Sequence, residues 1–368
     1  MEILTGSVCF FGACLIREVV KIILGSTNDK DFDKLFYELN LCNKSEEYPT
    51  LINKNKDKYY MKYTIELPIG LSIEEIKNYE ENIASFLECE NVVIKKHSNS
   101  KKIDIMYMHT KPKVEYNFEK QRRNDLKIPL GVDLYDGSDF ILDIFKDSNA
   151  NIYIAGSPGQ GKTNVLNIIL AHLANSTTKN EVEFAIHDTK MIDLPLFKRC
   201  KNTVSYYSGT EGINSFLEEE IKEMNARYKL LNKYGYRNVR DFIEDGYKIP
   251  YRVVVVEEIS SFSDNEKFLK QLSDLTSLGR SAGIIVIMVT QIPTYDVMPT
   301  RIKNNVNISI GLKVRNMVCS EIVMNDAELH KLSGSGHLKI TDSVNYNREI
   351  QAYYISDSCI EKIINKNI

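Results

Sequence analysis

The second half of the chain alternates short apolar runs with longer polar stretches. Six of these runs are rich in β-branched residues, and most are separated by segments whose apolar positions recur at helical spacing: NIYIAG (151–156), EVEFAIHD (181–188), TVSYYS (203–208), RVVVVEE (252–258), GIIVIMVTQ (283–291) and VNISIGLKV (306–314). Near-continuous apolar strands are typical of a parallel sheet that is buried on both faces. The pattern therefore predicts an α/β domain with a mostly parallel sheet and helices on both faces.

The first half of the chain follows a different pattern. DFDKLFYELNL (31–41) has apolar positions at helical spacing and predicts a short helix, and IEEIKNYEENIASFLE (73–88) predicts one amphipathic helix. Three strands are predicted around that second helix: MKYTIELP (61–68), NVVIKKHS (91–98) and KKIDIMYM (101–108). This order of elements indicates a small α+β module, and the residues after Tyr354 predict a short terminal helix.

These patterns divide the chain into three parts: an N-terminal helical segment (1–45), a small α+β domain (46–115) and the α/β domain (116–368). The run from Ile3 to Ile16 carries no charge, but its 14 residues are too few to span a bilayer. We expect a buried or partner-facing amphipathic helix there and no integral membrane segment. Peripheral contact with a membrane surface stays open.

Composition excludes several classes of protein. With 43% hydrophobic and 26% charged residues the chain is an ordinary globular protein, and its net charge of −3 provides no overall basic field for nucleic acid. A local excess does occur, with ten Lys or Arg against four Asp or Glu between Lys95 and Lys127; it is either a solvated connector or a phosphate-contacting surface. The seven scattered cysteines indicate reduced thiols, a cytoplasmic location and no zinc site.

The strongest chemical signal is the segment GSPGQGKT, which has the eight-residue spacing of a phosphate-binding loop. A predicted strand leads into it and a predicted helix follows, so backbone amides at the helix start can surround phosphate oxygens. Lys162 would contact the β and γ phosphates of ATP, and the Thr163 hydroxyl would bind Mg²⁺. The predicted nucleotide-binding residues are Gly156, Ser157, Pro158, Gly159, Gln160, Gly161, Lys162, Thr163 and Asn164.

Two acids follow the strand RVVVVEE, whose four consecutive valines indicate burial. A nucleotide-hydrolysing domain needs carboxylates at such a strand end to orient the metal ion and to polarise the attacking water. We assign Glu257 to the Mg²⁺ shell, through water, and Glu258 to water activation. Because the carboxyl ends of parallel strands meet at the ligand crevice, Gln291 is a candidate sensor of the γ phosphate, with strand capping as the alternative. Asp188 and Lys190 also follow a strand.

The order and spacing of these motifs resemble those of the FtsK/SpoIIIE family of DNA translocases. The resemblance runs from about Pro129 to Val314, and its segments are PLGVDL (129–134), IYIAGSPGQGKTNVLN (152–167), DTKMIDLPLF (188–197), EMNARYKLLNKYGYRNVRDF (223–242), VVVVEEIS (253–260) and LTSLGRSAGIIVIMVTQIP (275–293). The segment from residue 31 to residue 98 is also similar, more loosely, to the leader of FtsK-related proteins of conjugative and mobile elements.

The resemblance implies a RecA-like motor that assembles as a ring, usually a hexamer, and moves double-stranded DNA by ATP hydrolysis. Some members complete the active site with a cation from the neighbouring subunit, and Arg280 is the candidate here, with an intrasubunit salt bridge as the alternative. Arg227 and Arg237 are expected to be structural or interface groups. Arg301 and Lys303 are weaker candidates for phosphate contact with DNA.

The resemblance also indicates which biological process to expect for this chain. We expect neither a winged-helix module after the motor nor a multi-helix membrane anchor before it. Transfer or maintenance of a plasmid, phage or integrative element is therefore favoured over chromosome segregation, with a transfer apparatus or relaxase as a possible partner. Two alternatives remain: an FtsK-like motor acting on protein substrates in secretion, and a slow nucleotide-dependent scaffold.

Overall fold

A computed structural model describes residues 31–56, 60–89, 92–97, 101–108, 114–117, 119, 126–134, 137–146 and 151–366. The chain divides into two compact units, with the boundary between residues 111 and 112. The N-terminal amphipathic helix expected before residue 25 lies outside the described residues. So do residues 98–100, 109–113, 118 and 120–125 of the basic stretch between Lys95 and Lys127.

The first unit has a four-stranded antiparallel sheet, ordered β1-β2-β4-β3 in its described residues. Its helices and strands share one apolar core, which includes Phe32, Phe36 and Ile65. The elements are α1 (Phe32–Glu38), β1 (Thr50–Lys56), β2 (Tyr60–Glu66), α2 (Ile73–Lys77), α3 (Glu80–Leu87), β3 (Val93–Lys96) and β4 (Lys102–Met108).

The single helix predicted over residues 73–88 is wrong, because the structure has two helices there. The first, α2, begins with a capping box in which Ser72 and Glu75 bond each other's backbone N–H groups. It ends at Lys77, and Tyr79 packs against the unit's core at the break between the helices. The three predicted strands are confirmed as β2, β3 and β4, and the predicted helix over 31–41 as α1.

The second unit is built on a ten-stranded sheet among its described residues, ordered β6-β5-β14-β13-β12-β7-β11-β10-β8-β9. The strands are β5 (Lys127–Asp133), β6 (Asp139–Asp143), β7 (Ile152–Ala155), β8 (Val182–Asp188), β9 (Thr203–Ser208), β10 (Tyr251–Val256), β11 (Ile284–Thr290), β12 (Ile308–Leu312), β13 (His337–Thr341) and β14 (Arg348–Ala352). In this spatial order, six neighbouring strands run parallel to one another: β12, β7, β11, β10, β8 and β9. They are the six strands predicted from the apolar runs. The other four strands, β6, β5, β14 and β13, extend the sheet beyond β12 and pair antiparallel with their neighbours.

Helices cover both faces of this sheet, as predicted. Along β10, Val253 and Val255 belong to one apolar core and Val254 and Val256 to the other, as the alternation of side chains in a strand requires. The helices are α4 (Lys162–Ser176), α5 (Ile213–Tyr234), α6 (Val239–Glu244), α7 (Glu266–Leu278), α8 (Thr300–Lys303), α9 (Met317–Met324) and α10 (Asp357–Lys366). The last of these is the predicted terminal helix. In the part of the chain that the structure describes, no helix is long and apolar enough to cross a membrane.

Candidate functional site: a phosphate loop beside three strand ends

The phosphate loop connects the buried strand β7 to α4 in the middle of the sheet. Two of its glycines are required by the geometry. A Cβ atom on Gly156 would lie 2.8 Å from the Cβ of Leu312 on β12, too close for any side chain. Gly161 has a φ of +107°, and a Cβ there would meet the backbone of Gly336 at 3.3 Å. The loop is therefore held against β12 and the segment before β13.

Lys162 is the first residue of α4, and its side chain is buried. Its Nζ atom donates hydrogen bonds to the carbonyl oxygens of Gly156 (2.6 Å) and Ser157 (2.9 Å), so the ammonium group lies inside the curl of its own loop. Burial lowers its pKa to about 8, although the charge of Glu258 opposes the shift. A phosphate group entering the loop would supply the negative charge that this partly desolvated cation lacks.

Thr163 and Asn164 have different surroundings. The Thr163 hydroxyl lies 3.4 Å from Asp193 Oδ1, facing the acidic end of the site. The Asn164 side chain donates to the carbonyl oxygen of Tyr353 (2.6 Å) and accepts from the backbone N–H of Ile355 (3.0 Å). Both ends of its amide group are thus engaged within the protein. Any contact of Asn164 with a nucleotide would therefore come from its backbone.

Glu258 follows β10 in the left-handed region, with a φ of +51°. Its Oε1 atom accepts hydrogen bonds from the backbone N–H of Gln291 (3.0 Å), the hydroxyl of Thr290 (3.2 Å) and the hydroxyl of Ser260. Burial would raise the pKa of Glu258, but these hydrogen bonds and the nearby Lys190 hold it below its usual value. The carboxylate is therefore ionised and fixed at the ends of β10 and β11, as a group that polarises water must be.

Glu257 is buried beside it and is less completely bonded. One carboxylate oxygen, Oε1, lies 2.8 Å from Lys190 Nζ, whereas Oε2 is buried with no hydrogen-bond partner among the described residues. Burial raises the pKa of Glu257 to about 7, and Lys190 limits the rise. An unpartnered carboxylate oxygen and the Thr163 hydroxyl are the hard oxygen donors that Mg²⁺ prefers. These residues fit a magnesium ion that takes its other ligands from phosphate and water.

No group of three His, Cys, Asp or Glu side chains arranged to hold a metal ion occurs among the described residues. Asp188, which is fully buried, accepts hydrogen bonds from the backbone N–H of Leu194 (3.1 Å) and the hydroxyl of Tyr206 (3.0 Å). We conclude that Asp188 holds the loop after β8 in place. Lys190, two residues further on, contacts the acids of the site.

Lys190 is the residue whose role sequence reasoning missed. Its Nζ atom lies 2.8 Å from Glu257 Oε1, 3.3 Å from Glu258 Oε2 and 3.2 Å from Asp193 Oδ2. Burial alone would lower its pKa, but Glu257 and Asp193 raise it above its ordinary value. The available signal was its position at the end of a strand, and the missing information was that β8 lies beside β10 in the sheet.

The other predicted residues lie in different places. The backbone of Gln291 contacts Glu258, and its side chain is partly buried. Arg280 is exposed in the turn before β11 and makes no ion pair with a described residue. It lies at the amino end of that strand, whereas the phosphate loop lies at the carboxyl ends of the parallel strands. Lys303 donates to Asn325 Oδ1 (2.7 Å) at the end of α9, and Arg301 is exposed on α8.

Arg227 is structural, as expected from the sequence. Its side chain is 2% exposed and contacts Glu183 and Glu223 at 2.9 and 2.8 Å. It also donates to the carbonyl oxygens of Pro250 and Ala282 at 2.7 and 3.2 Å. These bonds join α5 to the strand β8 and to the segments before β10 and β11. Arg237 is exposed beyond the end of α5.

Together, the loop, the buried lysine and the acids at the strand ends define a P-loop ATPase fold with a RecA-like sheet. Residues 114–312 match the model of the FtsK/SpoIIIE family. Since the match covers more than half of the chain, this protein belongs to the FtsK/SpoIIIE family.

Two relatives with curated names are DNA translocases. FtsK of Streptococcus pneumoniae is 26% identical over 328 residues, which are 83% of this chain and 42% of that protein. SpoIIIE of Bacillus subtilis is 25% identical, over 82% of this chain and 41% of its own length. The chain thus spans less than half the length of these curated relatives.

Solved structures share the fold at lower identity. The conjugation coupling protein TcpA of pCW3, in its monomer form with ATPγS, has a TM-score of 0.62 and 20% identity, covering 91% of this chain and 98% of that one. The cytoplasmic domain of the type VII secretion ATPase EccC from Thermomonospora curvata has a TM-score of 0.61 and 17% identity, covering 70% of this chain and 33% of that one. At these identities the likeness concerns the fold.

Proposed function

We propose that this chain is an ATP-driven motor that translocates double-stranded DNA. The observation that carries the proposal is the convergence of Lys162, Thr163, Glu257 and Glu258 at one crevice of the parallel sheet. Lys162 would bind the phosphates, Thr163 and Glu257 would hold Mg²⁺, and Glu258 would polarise the attacking water. Membership of a family whose curated relatives are named DNA translocases supports DNA as the substrate.

The assembly and the biological setting belong to the same proposal. We propose a homo-oligomeric ring, hexameric by family resemblance, in which Arg280 completes the site of a neighbouring subunit and Gln291 responds to the γ phosphate. The likeness of fold to a conjugation coupling protein supports transfer of a mobile element, with relaxase or transfer-apparatus partners. A cytoplasmic location is supported by the seven scattered cysteines, whose odd number and lack of paired spacing are not typical of a disulfide framework.

The test is steady-state ATP hydrolysis by the purified full chain, with no polymer, with long duplex DNA and with single-stranded DNA, at two salt concentrations. We expect stimulation by duplex DNA that weakens as salt rises, because phosphate contacts release counterions. Turnover that ignores both nucleic acids would contradict a DNA motor and favour a protein substrate. ATP binding with negligible turnover under every condition would favour a scaffold.

Two variants test the assigned residues. Lys162→Ala should lose ATP binding, because it removes the buried cation of the loop, while Lys179→Ala changes an exposed lysine and should behave as the wild type. Glu258→Gln should bind ATP but hydrolyse it on the order of a hundredfold or more slowly, since it removes the proposed base. Glu266→Gln, at an exposed position, is its control. Rapid hydrolysis by Glu258→Gln would exclude Glu258 from that role.

A further inference from the structure

Lys190 is surrounded by acids of the nucleotide site. The residue lies just after β8, and β8 pairs with β10, so its side chain reaches the two glutamates that follow β10. Its Nζ atom is 2.8 Å from Glu257, 3.3 Å from Glu258 and 3.2 Å from Asp193. One ammonium group therefore pairs with three carboxylates, two from the end of β10 and one from the loop after β8.

The charge balance of the site depends on this side chain. Lys162 and Lys190 oppose three carboxylates, but Lys162 donates to the carbonyl oxygens of its own loop. Among the described residues, Lys190 is the cation that forms ion pairs with Glu257, Glu258 and Asp193. Two carboxylates buried side by side repel each other strongly unless a cation is close. Lys190 supplies that cation.

The same group of residues extends to the position predicted to bind magnesium. Asp193, which pairs with Lys190 through Oδ2, lies 3.4 Å from the Thr163 hydroxyl through Oδ1. A divalent cation held by Thr163 and Glu257 would thus enter a region whose negative charge Lys190 already balances. The Lys190 side chain is 33% exposed, so its tip has room to leave these carboxylates.

We propose that Lys190 is a positioning residue: its ammonium group holds the two glutamates and Asp193 in place until magnesium and nucleotide bind, and then yields part of that role to the metal. The inference rests on the proposed ATPase function and deepens it. It makes Lys190 a built-in counter-charge of the magnesium site, distinct from the phosphate-binding Lys162. If Lys190 has this role, replacing it should change how strongly the binding of ATP depends on Mg²⁺.

The experiment measures the Kd of ATP calorimetrically on the full chain, once with excess Mg²⁺ and once in EDTA. The quantity of interest is the ratio of the Kd in EDTA to the Kd in Mg²⁺. In Lys190→Met, metal-free ATP meets three carboxylates with one fewer cation, whereas Mg²⁺ restores the missing charge. We therefore expect the ratio to rise on the order of tenfold above that of the wild type.

Three further variants separate this role from simple stabilisation. Lys190→Arg keeps the charge and should keep a ratio near that of the wild type. Lys339→Met is a matched control, because Lys339 also faces three carboxylates, those of Asp326, Glu328 and Glu349, outside the site. It should lower thermal stability and leave the ratio unchanged. If Lys190→Met does not fold, Asp193→Asn decides, because it removes a negative charge and should lower the ratio.

The outcomes distinguish the inference from the function on which it rests. A wild type whose ATP binding is absent, or gains nothing from Mg²⁺, overturns the proposed function and this inference together. A wild type that depends on Mg²⁺, with an unchanged ratio in Lys190→Met, overturns the role of Lys190 alone. An unchanged or raised ratio in Asp193→Asn does the same. A ratio that rises in Lys190→Met and returns in Lys190→Arg establishes it.

Discussion

Replacing Arg280 by alanine tests whether this residue acts on a neighbouring subunit. Arg280 lies in the turn before β11, and β11 runs seven residues to Thr290, which pairs with Ala155 at the start of the phosphate loop. At about 3.3 Å per residue the strand places roughly 20 Å between Arg280 and the loop of the same chain. One arginine side chain cannot cover that distance, so Arg280 can meet a nucleotide only across an interface.

The expected effects on stability and on activity differ sharply. Arg280 is exposed and makes no ion pair with any residue that the structure describes, so its loss should change the free energy of unfolding by less than about 0.5 kcal/mol. An arginine that stabilises the transition state from a neighbouring subunit is worth on the order of a thousandfold or more in turnover. Arg280→Ala should therefore be folded, assembled and nearly inactive.

A mixing assay tests the assignment directly. Arg280→Ala subunits keep Glu258, and Glu258→Gln subunits keep Arg280, so an interface between the two variants can contain one complete site. In rings formed from equal amounts, about a quarter of the interfaces have the productive order, and turnover should recover to at most about that fraction of the wild type. Activity no greater than that of the separate variants, in rings shown to be mixed, would refute the assignment.

Two other predictions concern buried groups of the second unit. Arg227→Met leaves the carbonyl oxygens of Pro250 and Ala282 without this donor, while Glu183 keeps its ion pair with Arg252 and Glu223 is partly exposed. The change should cost on the order of 2 kcal/mol in the free energy of unfolding, measured by chemical denaturation, with Arg237→Ala as an exposed control. Its Kd for ATP should stay unchanged, and a lost affinity with normal stability would contradict a structural role. Burial beside the rings of Phe216 and Phe262 lowers the pKa of His187 to about 4. In the unfolded chain the pKa of a histidine is about 6.5. The neutral His187 therefore contributes its full stabilisation of the fold above about pH 6.5, and this stabilisation is lost as the pH falls towards 4. Between pH 7.5 and pH 5 the free energy of unfolding of the wild type should fall by roughly 2 kcal/mol more than that of His187→Gln. Equal falls would show that His187 binds a proton as readily in the folded protein as in the unfolded chain.

The parallel half of the sheet could be predicted because its strands are buried on both faces. Burial of this kind favours apolar side chains on both faces of a strand, and β8, β10 and β11 show the result as unbroken apolar runs at their centres. Three polar side chains of β8, those of Glu183, His187 and Asp188, are nevertheless buried. The phosphate loop could be predicted for a different reason. Its chemistry is local, since one short segment supplies the glycines, the lysine and the hydroxyl that surround phosphate.

The antiparallel strands of the second unit were not predicted, and their sequences show why. In β13 and β14, apolar residues such as Leu338 and Ile350 alternate with charged residues such as Lys339 and Glu349, over only five residues each. Alternation of this kind is a strand signal, but a run of five residues lies near the short limit of that signal. Their partners are also distant in sequence, because Ile350 pairs with Asp133 of β5. No local pattern specifies that pairing.

The unpredicted strands nevertheless hold the predicted site. The backbone N–H of Gly336, just before β13, donates to the carbonyl oxygen of Gln160 at 2.9 Å, and the side chain of Asn164 is bonded to Tyr353 and Ile355, just after β14. The phosphate loop and the start of α4 are therefore fixed from the antiparallel side, while the acids and Lys190 come from the parallel side. A motif recognised from eight residues thus owes its rigid geometry to both halves of the sheet. A preorganised phosphate site needs this support, since each loop amide must stay aimed at its ligand when the ligand is absent.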